Sequence, residues 1–241
     1  MAQNWELSRV IKKLEEVRAQ GFVSIPPGQY RNDDGVVGQV LERHFGLREN
    51  NLGVGDLGRF ELKAMRERSA TLTLCHKNPV SGASPQELFR RFSYERPSRR
   101  EPGVMKRKLF TTVTGARANN LGLILLAAPE GNGFELYCHD EFIARWDLSE
   151  QLAKMDRLIL AFARTQGQAN SPQERFHFFQ AFMLEGLNGM ASLVEEGVVT
   201  LSLCIDQPLD GRRMPHDRGP HIRMPRTRLL RAYAKVEPLV C

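Results

Sequence analysis

The chain has 241 residues, 41% of them hydrophobic and 26% charged, which supports a packed core and excludes a disordered or fibrous protein. Its 34 Lys and Arg against 28 Asp and Glu leave a net charge of +6, so the expected partner is anionic, with nucleic acid the commonest such partner. No apolar run approaches the roughly 18 residues of a membrane span, MAQNWELSRV lacks a secretion pattern, and Cys75, Cys138, Cys204 and Cys241 are too scattered for a disulfide framework or a zinc cage. The expectation is a cytoplasmic protein with reduced thiols.

Leu7, Val10, Ile11, Leu14 and Val17 recur at helical spacing and Gly21 supplies a stop, so a first amphipathic helix is predicted. A second runs through Val37, Val40, Leu41 and Phe45, capped by Asp33 or Asp34 and closed by Gly46. The pattern then turns to strands. In GRFELKAM, Phe60, Leu62 and Ala64 point one way and Glu61 and Lys63 the other; TLTLCH repeats the alternation with Leu72, Leu74 and His76 on one face. A polar, basic stretch follows, then LGLILLA and FELYCH around the turn PEGNG, a predicted hairpin. RLILAFA and VVTLSLCID read as strands, SPQERFHFFQAFMLEGL as a Ser-Pro-capped helix, and the tail from Pro225 as a last helix. Helices and strands mixed without a strict βαβ rhythm predict an α/β (α+β) fold with a mixed sheet. A boundary within 147–156 would give lobes 1–150 and 151–241.

GDLGRFELK carries the candidate chemistry. Phosphodiester hydrolysis calls for a divalent cation that neutralises the scissile phosphate and activates water. Magnesium takes oxygen ligands and keeps several waters, so two converging carboxylates suit it. Period-2 geometry sets Glu61 and Lys63 on one strand face, about 7 Å apart along it. A glycine-containing turn can fold Asp56 back towards them. Lys63 can then hold the attacking water, and the Leu62 carbonyl is available as a further metal ligand. By spacing alone, a solvated strand face with an ordinary ion pair stays open. Glu42, on the second predicted helix, is either a supporting carboxylate or an exposed helix residue.

PHDRGPHIRMP gathers His216, Asp217, Arg218, His221 and Arg223 in a Pro/Gly-stiffened loop. Arg can read guanine O6 and N7, Asp can accept from cytosine N4, and His can do either at a base edge. A metal site on His216 and His221, or a plain surface loop, are the alternatives. Arg90, Arg91, Arg96, Arg99, Arg100, Lys106, Arg107 and Lys108 can meet backbone phosphates or simply face water. Phe176, Phe178, Phe179 and Phe182 read as core, and His139 and His177 receive no role.

The blocks DDGVVGQVLERHFG, ENNLGVGDLGRFELKAMR, MKRKLFTT, RANNLGL, ANSPQERFHF, LCIDQ and HDRGPH resemble the MvaI/BcnI type II restriction endonucleases, nearly end to end, and most of all their BcnI-like branch. This family is related to the mismatch-repair nicking enzyme MutH. The resemblance implies a PD-(D/E)xK nuclease core with two lobes around a DNA cleft: a catalytic lobe (1–150) and a DNA-recognition lobe (151–241). It implies magnesium, with the catalytic motif on Asp56, Glu61 and Lys63, a further MutH-like carboxylate at Glu42, and Gly55 at a variable position that the motif's name gives to proline. It also implies that His76 and His221 address the central base pair of a CC-S-GG type site, His76 from the minor groove and His221 from the major groove. Asp217 and Arg218 are candidates for the flanking C·G pairs.

Such an enzyme acts on double-stranded DNA as a monomer, nicks one strand per binding event, leaves 5′-phosphate and 3′-hydroxyl ends, and works beside a cognate DNA methyltransferase without a stable complex. A MutH-like nicking enzyme, a catalytically inactive DNA-binding protein and a basic protein with no nucleic-acid role are the alternatives.

Overall fold

The computed structural model describes residues 5–28, 30, 33–47, 55–99, 101–210 and 214–241. In chain order it contains α1 (Leu7–Ala19), β1 (Val23–Ser24), α2 (Val36–His44), β2 (Glu61–Arg66), β3 (Thr71–His76), β4 (Ser81–Gly82) and α3 (Pro85–Phe92). Next come β5 (Tyr94–Pro97), β6 (Met105–Thr114), β7 (Leu123–Ala127), β8 (Gly133–Cys138), β9 (Glu141–Asp147) and α4 (Ser149–Met155). The chain continues through β10 (Arg157–Gln166), β11 (Arg175–Leu187), α5 (Met190–Glu195), β12 (Thr200–Pro208), β13 (His216–Asp217) and β14 (His221–Pro225). It ends with the short helix α6 (Arg226–Leu229), a 3-10 turn over Leu230–Ala232, and β15 (Tyr233–Val240).

Two compact units divide the chain: Met1–Ala70 with Leu152–Leu187 and Tyr233–Cys241, and Thr71–Gln151 with Asn188–Ala232. Sequence reading placed one cut after residue 150. The chain instead passes between the units after residues 70, 151, 187 and 232, so neither unit is a continuous stretch.

The first unit is built on a five-stranded sheet in the order β1-β11-β10-β2, with β15 also paired to β11. β10 and β2 run parallel and the other pairs are antiparallel, a mixed sheet as expected. The apolar stripe of α1, buried at Val10, Leu14 and Val17, rests against β11 and β15; that of α2, buried at Val36, Val37, Val40 and Leu41, rests against β2. Gly21 and Gly46 close these helices at positive φ, 67° and 71°, the left-handed stop that glycine adopts without strain. The α2 cap differs from expectation. Gly35 takes the N-cap position and Asp33 Oδ1 accepts from its N–H at 2.8 Å, while Asp34 is drawn to Arg66, 3.2 Å away.

The predicted helix over SPQERFHFFQAFMLEGL is a correction, because the segment forms the 13-residue strand β11. Phe176 and Phe178 are buried on alternate positions, the period of a strand rather than a helix, and its aromatic residues suit a pleated surface. Phe179 and Phe182 are only half-buried. The tail likewise holds one turn of helix after Pro225 and then becomes β15.

The second unit has two antiparallel sheets: β3-β14-β12-β6-β5 with β13 on β12, and β4-β9-β8-β7. The expected hairpin is β7–β8. Within the polar stretch, α3 begins with a capping box. Ser84 Oγ accepts from Glu87 N–H and Glu87 Oε2 accepts from Ser84 N–H at 2.7 Å, with Pro85 in the first turn. All four cysteines are free thiols. Among the described residues no helix is long and apolar enough to cross a membrane.

Candidate active site

β2 is the edge strand of the first unit's sheet, and the candidate chemistry lies along it. Leu62 enters the core at 1% exposure, which sends Glu61 and Lys63 to the opposite face. There Lys63 Nζ lies 3.1 Å from Glu61 Oε1, with side-chain exposures of 21% and 12%. The turn before β2 returns Asp56. Leu57 N–H donates to Phe60 O, Gly58 N–H to Gly55 O, and Gly58 has φ +81°. Gly55 is required by close approach, since a Cβ there would sit 2.7 Å from the Phe60 carbonyl oxygen.

The turn carries the Asp56 carboxylate to the free edge of β2, where Oδ2 accepts from Leu62 N–H at 3.3 Å. In a parallel ladder a residue's N–H and C=O project to the same side, so the Leu62 carbonyl faces that edge too. Glu61 thus pairs with the Lys63 ammonium, and the Asp56 carboxylate lies close enough to feel the charge of both.

The electrostatics suit a cation. Burial first, and then the charge of Glu61, raise the Asp56 pKa; the Leu62 N–H, Lys63 and Lys154 only partly offset them. A divalent ion would remove that strain, and a hard one satisfied by one or two carboxylates plus water and phosphate fits this donor set. Among the described residues no group of three or more His, Cys, Asp and Glu side chains could hold a metal by themselves. Glu42 is half-buried on α2, the helix packed against β2.

The far end of this strand is braced by residues that carry no local sequence signal. Arg66, the last residue of β2, donates from Nε and Nη2 to Glu174 at 2.7 and 2.8 Å. It also reaches Asn170 Oδ1 at 2.9 Å and Asp34 Oδ1 at 3.2 Å. Glu174 is fully buried and accepts from Asn170 N–H as well. The cluster ties β2 to the approach of α2 and to the turn before β11. Burial opposes the Glu174 charge, but Arg66 and the Asn170 N–H outweigh it and hold its pKa below the ordinary carboxylate value. Tyr233 was also missed. Burial, then the charges of Asp156 and Glu61, push its phenol well above the usual range.

In the second unit, β3 and β14 pair His76 directly with His221, and the rings meet edge to face with centroids 4.1 Å apart. His76 is exposed and His221 buried. Burial, then His76, Arg223 and Arg218, lower the His221 pKa to about 4. It is therefore neutral near pH 7, and its buried Nδ1 has no hydrogen-bond partner among the described residues.

His216 and Asp217 form β13 against Asp206 and Ile205. His221 faces Ser202, four residues away along β12 and so on the order of 13 Å from His216. That spacing removes the His216–His221 metal alternative. Asp217 Oδ1 accepts from Gly219 N–H at 2.8 Å, Arg218 is exposed, and Arg223 pairs with Thr200.

Much of the basic stretch is occupied within its own unit. Arg91 forms a two-bond pair with Glu141, Lys106 pairs with Glu101, Arg107 bonds Ser93, and Lys108 bonds the Pro97 carbonyl. Arg90, Arg96 and Arg99 are exposed, and Arg100 lies outside the described residues.

A mixed sheet flanked by helices, with two acids and a lysine along its edge, is the frame of a phosphodiester-cleaving nuclease. The family model of the MvaI/BcnI restriction endonucleases matches residues 11–233, and the chain belongs to that family. It is accordingly a type II restriction endonuclease, a site-specific deoxyribonuclease of a family that generally uses divalent metal ions. Among solved structures, the complex of restriction endonuclease MvaI with cognate DNA substrate is 20% identical, with 97% of this chain and 98% of that one covered and a TM-score of 0.72. MvaI in the absence of DNA is also 20% identical, covering 100% and 99%, with a TM-score of 0.52. Both likenesses concern the fold. Comparison with curated proteins gives no match.

Proposed function

We propose that the chain cleaves double-stranded DNA in magnesium at a short, near-palindromic site of CC-S-GG type, one strand per binding event. The return of Asp56 to the Leu62 N–H, between Glu61 and Lys63, carries this reading. Asp56, Glu61 and the Leu62 carbonyl would hold magnesium in a PD-(D/E)xK-type site, with Glu42 supporting them. Bound magnesium neutralises charge on the scissile phosphate and acidifies water. The Lys63 ammonium orients the attacking water and donates to a phosphate oxygen as negative charge builds. Attack in line on phosphorus breaks the bond to the 3′-oxygen, which leaves protonated, so the ends are a 5′-phosphate and a 3′-hydroxyl.

Recognition falls to the second unit and catalysis to the first. His76 and His221 address the central base pair. A neutral imidazole has one donor and one acceptor nitrogen, and a change of tautomer exchanges them, so G·C and C·G are both accepted. Asp217 accepts from cytosine N4 and Arg218 donates to guanine, with His216 and Arg223 beside them. The protein works in the cytoplasm as a monomer, alongside a methyltransferase that protects the same site without binding it stably.

A monomer with one such site cuts the strands in turn. With limiting enzyme and a supercoiled plasmid, nicked circles are expected to build up before linear DNA. Linear product formed without a nicked precursor would contradict the one-strand reading, and nicked circles that are never linearised would assign the chain to a nicking enzyme of the MutH kind.

A further inference from the structure

The second unit holds a pocket of about 550 Å³ whose lining includes Arg117, Arg223 and Arg228 and no Asp or Glu. Its floor is one face of the sheet that carries the histidine pair. Residues paired directly across a ladder share a face. His221, Ser202 and Thr112 form one such row, and Arg223, Thr200 and Thr114 the next. Hydroxyls therefore pave the floor beside the histidines, and Thr112 and Ser202 already bond each other at 3.3 Å.

The arginines differ in what they have left to offer. Arg228 donates to the Glu196 carbonyl and forms part of the wall. Arg117 is exposed. Arg223 Nε is buried with no hydrogen-bond partner among the described residues, an arrangement that costs free energy unless a ligand supplies the acceptor. Guanidinium forks with hydroxyl donors and no carboxylate match the tetrahedral oxygens of phosphate.

We propose that this pocket is a phosphate-binding site, entered either by a phosphodiester of the DNA backbone or by a free phosphate group. The DNA source rests on the function proposed above, but the site can be tested without catalysis. Duplex binding is measured in chelator, with cognate and unrelated sequences, across a salt series, for the wild type, Arg117→Gln and Arg223→Gln. Inorganic phosphate alone is titrated calorimetrically into the same three proteins.

If backbone phosphate fills the pocket, each variant binds both duplexes about tenfold more weakly, and the slope of log affinity on log salt falls by about 0.9 per lost contact. If free phosphate fills it, phosphate uptake weakens by a similar factor while duplex binding stays the same. Unchanged binding of both ligands would overturn the proposal. So would a loss confined to the cognate duplex with an unchanged salt slope, the mark of a base reader. Failure of the nuclease reading would appear separately, as absent cleavage by a wild type whose salt slope still responds to these substitutions.

Discussion

Glu61→Ala and Lys63→Ala are each expected to lower the cleavage rate at saturating DNA by about 10²–10⁴-fold, the range for losing a positioned proton-transfer or charge-stabilising group. Duplex affinity is expected to survive. Removing Glu61 takes a negative charge away from a site that must meet a phosphate, so binding of the Glu61→Ala protein stays equal or tightens. Lys63→Ala costs at most one phosphate contact, visible as a salt slope shallower by about 0.9. Glu61 and Lys63 pair at 3.1 Å on the partly exposed face of an edge strand, so neither truncation opens a cavity in the core. Gel-shift and single-turnover cleavage on the same preparations separate the two effects. Full activity in either variant would remove the site assignment.

The second large effect is on stability. Glu174→Ala leaves the Arg66 guanidinium buried against an empty space where its two shortest bonds were. Breaking one side of a buried pair costs about 3–5 kcal/mol, a fall in melting temperature of roughly 6–20 °C for a chain of this size. A double substitution, Arg66→Met with Glu174→Leu, should recover most of that loss, because it removes the orphaned charge and keeps the volume.

The sign of the pH effect follows from the depressed Glu174 pKa. The unfolded carboxyl takes up its proton at a higher pH than the folded one. The stabilisation is therefore complete above the unfolded value of about 4.3 and is lost as pH falls through the lower folded value. Thermal melts of wild type and Glu174→Ala should converge on acidification below pH 4. A constant difference between them down to acid pH would show that the pair's charge is not what stabilises the unit.

The parts of this molecule that sequence made legible are those governed by neighbours along the chain. α1 and α2 follow from apolar spacing closed by glycine, and β2 from strict alternation around Leu62. The turn before β2 follows from its glycines, but the close approach that bars a side chain at Gly55 does not. The Asp56, Glu61 and Lys63 grouping was readable for the same reason, since a short turn and a period of two bring them together.

What failed was long-range. β11 reads as a helix because Ser171-Pro172 resembles a helix start, and it becomes a sheet member by pairing with β10 just before it and with β1 and β15, which are distant in sequence. The Arg66–Glu174 bond joins residues 108 positions apart and leaves no local signature. His221 stands out by residue type and His76 only through the family resemblance, and neither signal gives their contact. That contact is a matter of β3–β14 register.

The most direct test of the acid–acid–lysine site is digestion of a plasmid of known sequence by the purified chain, in magnesium and in chelator, with the fragment ends sequenced. Discrete fragments whose ends all fall within one short sequence, formed only when divalent metal is present, are expected. DNA left intact in magnesium by protein that still binds the duplex, or cut equally well in chelator, would contradict a metal-dependent nuclease centred on Asp56, Glu61 and Lys63.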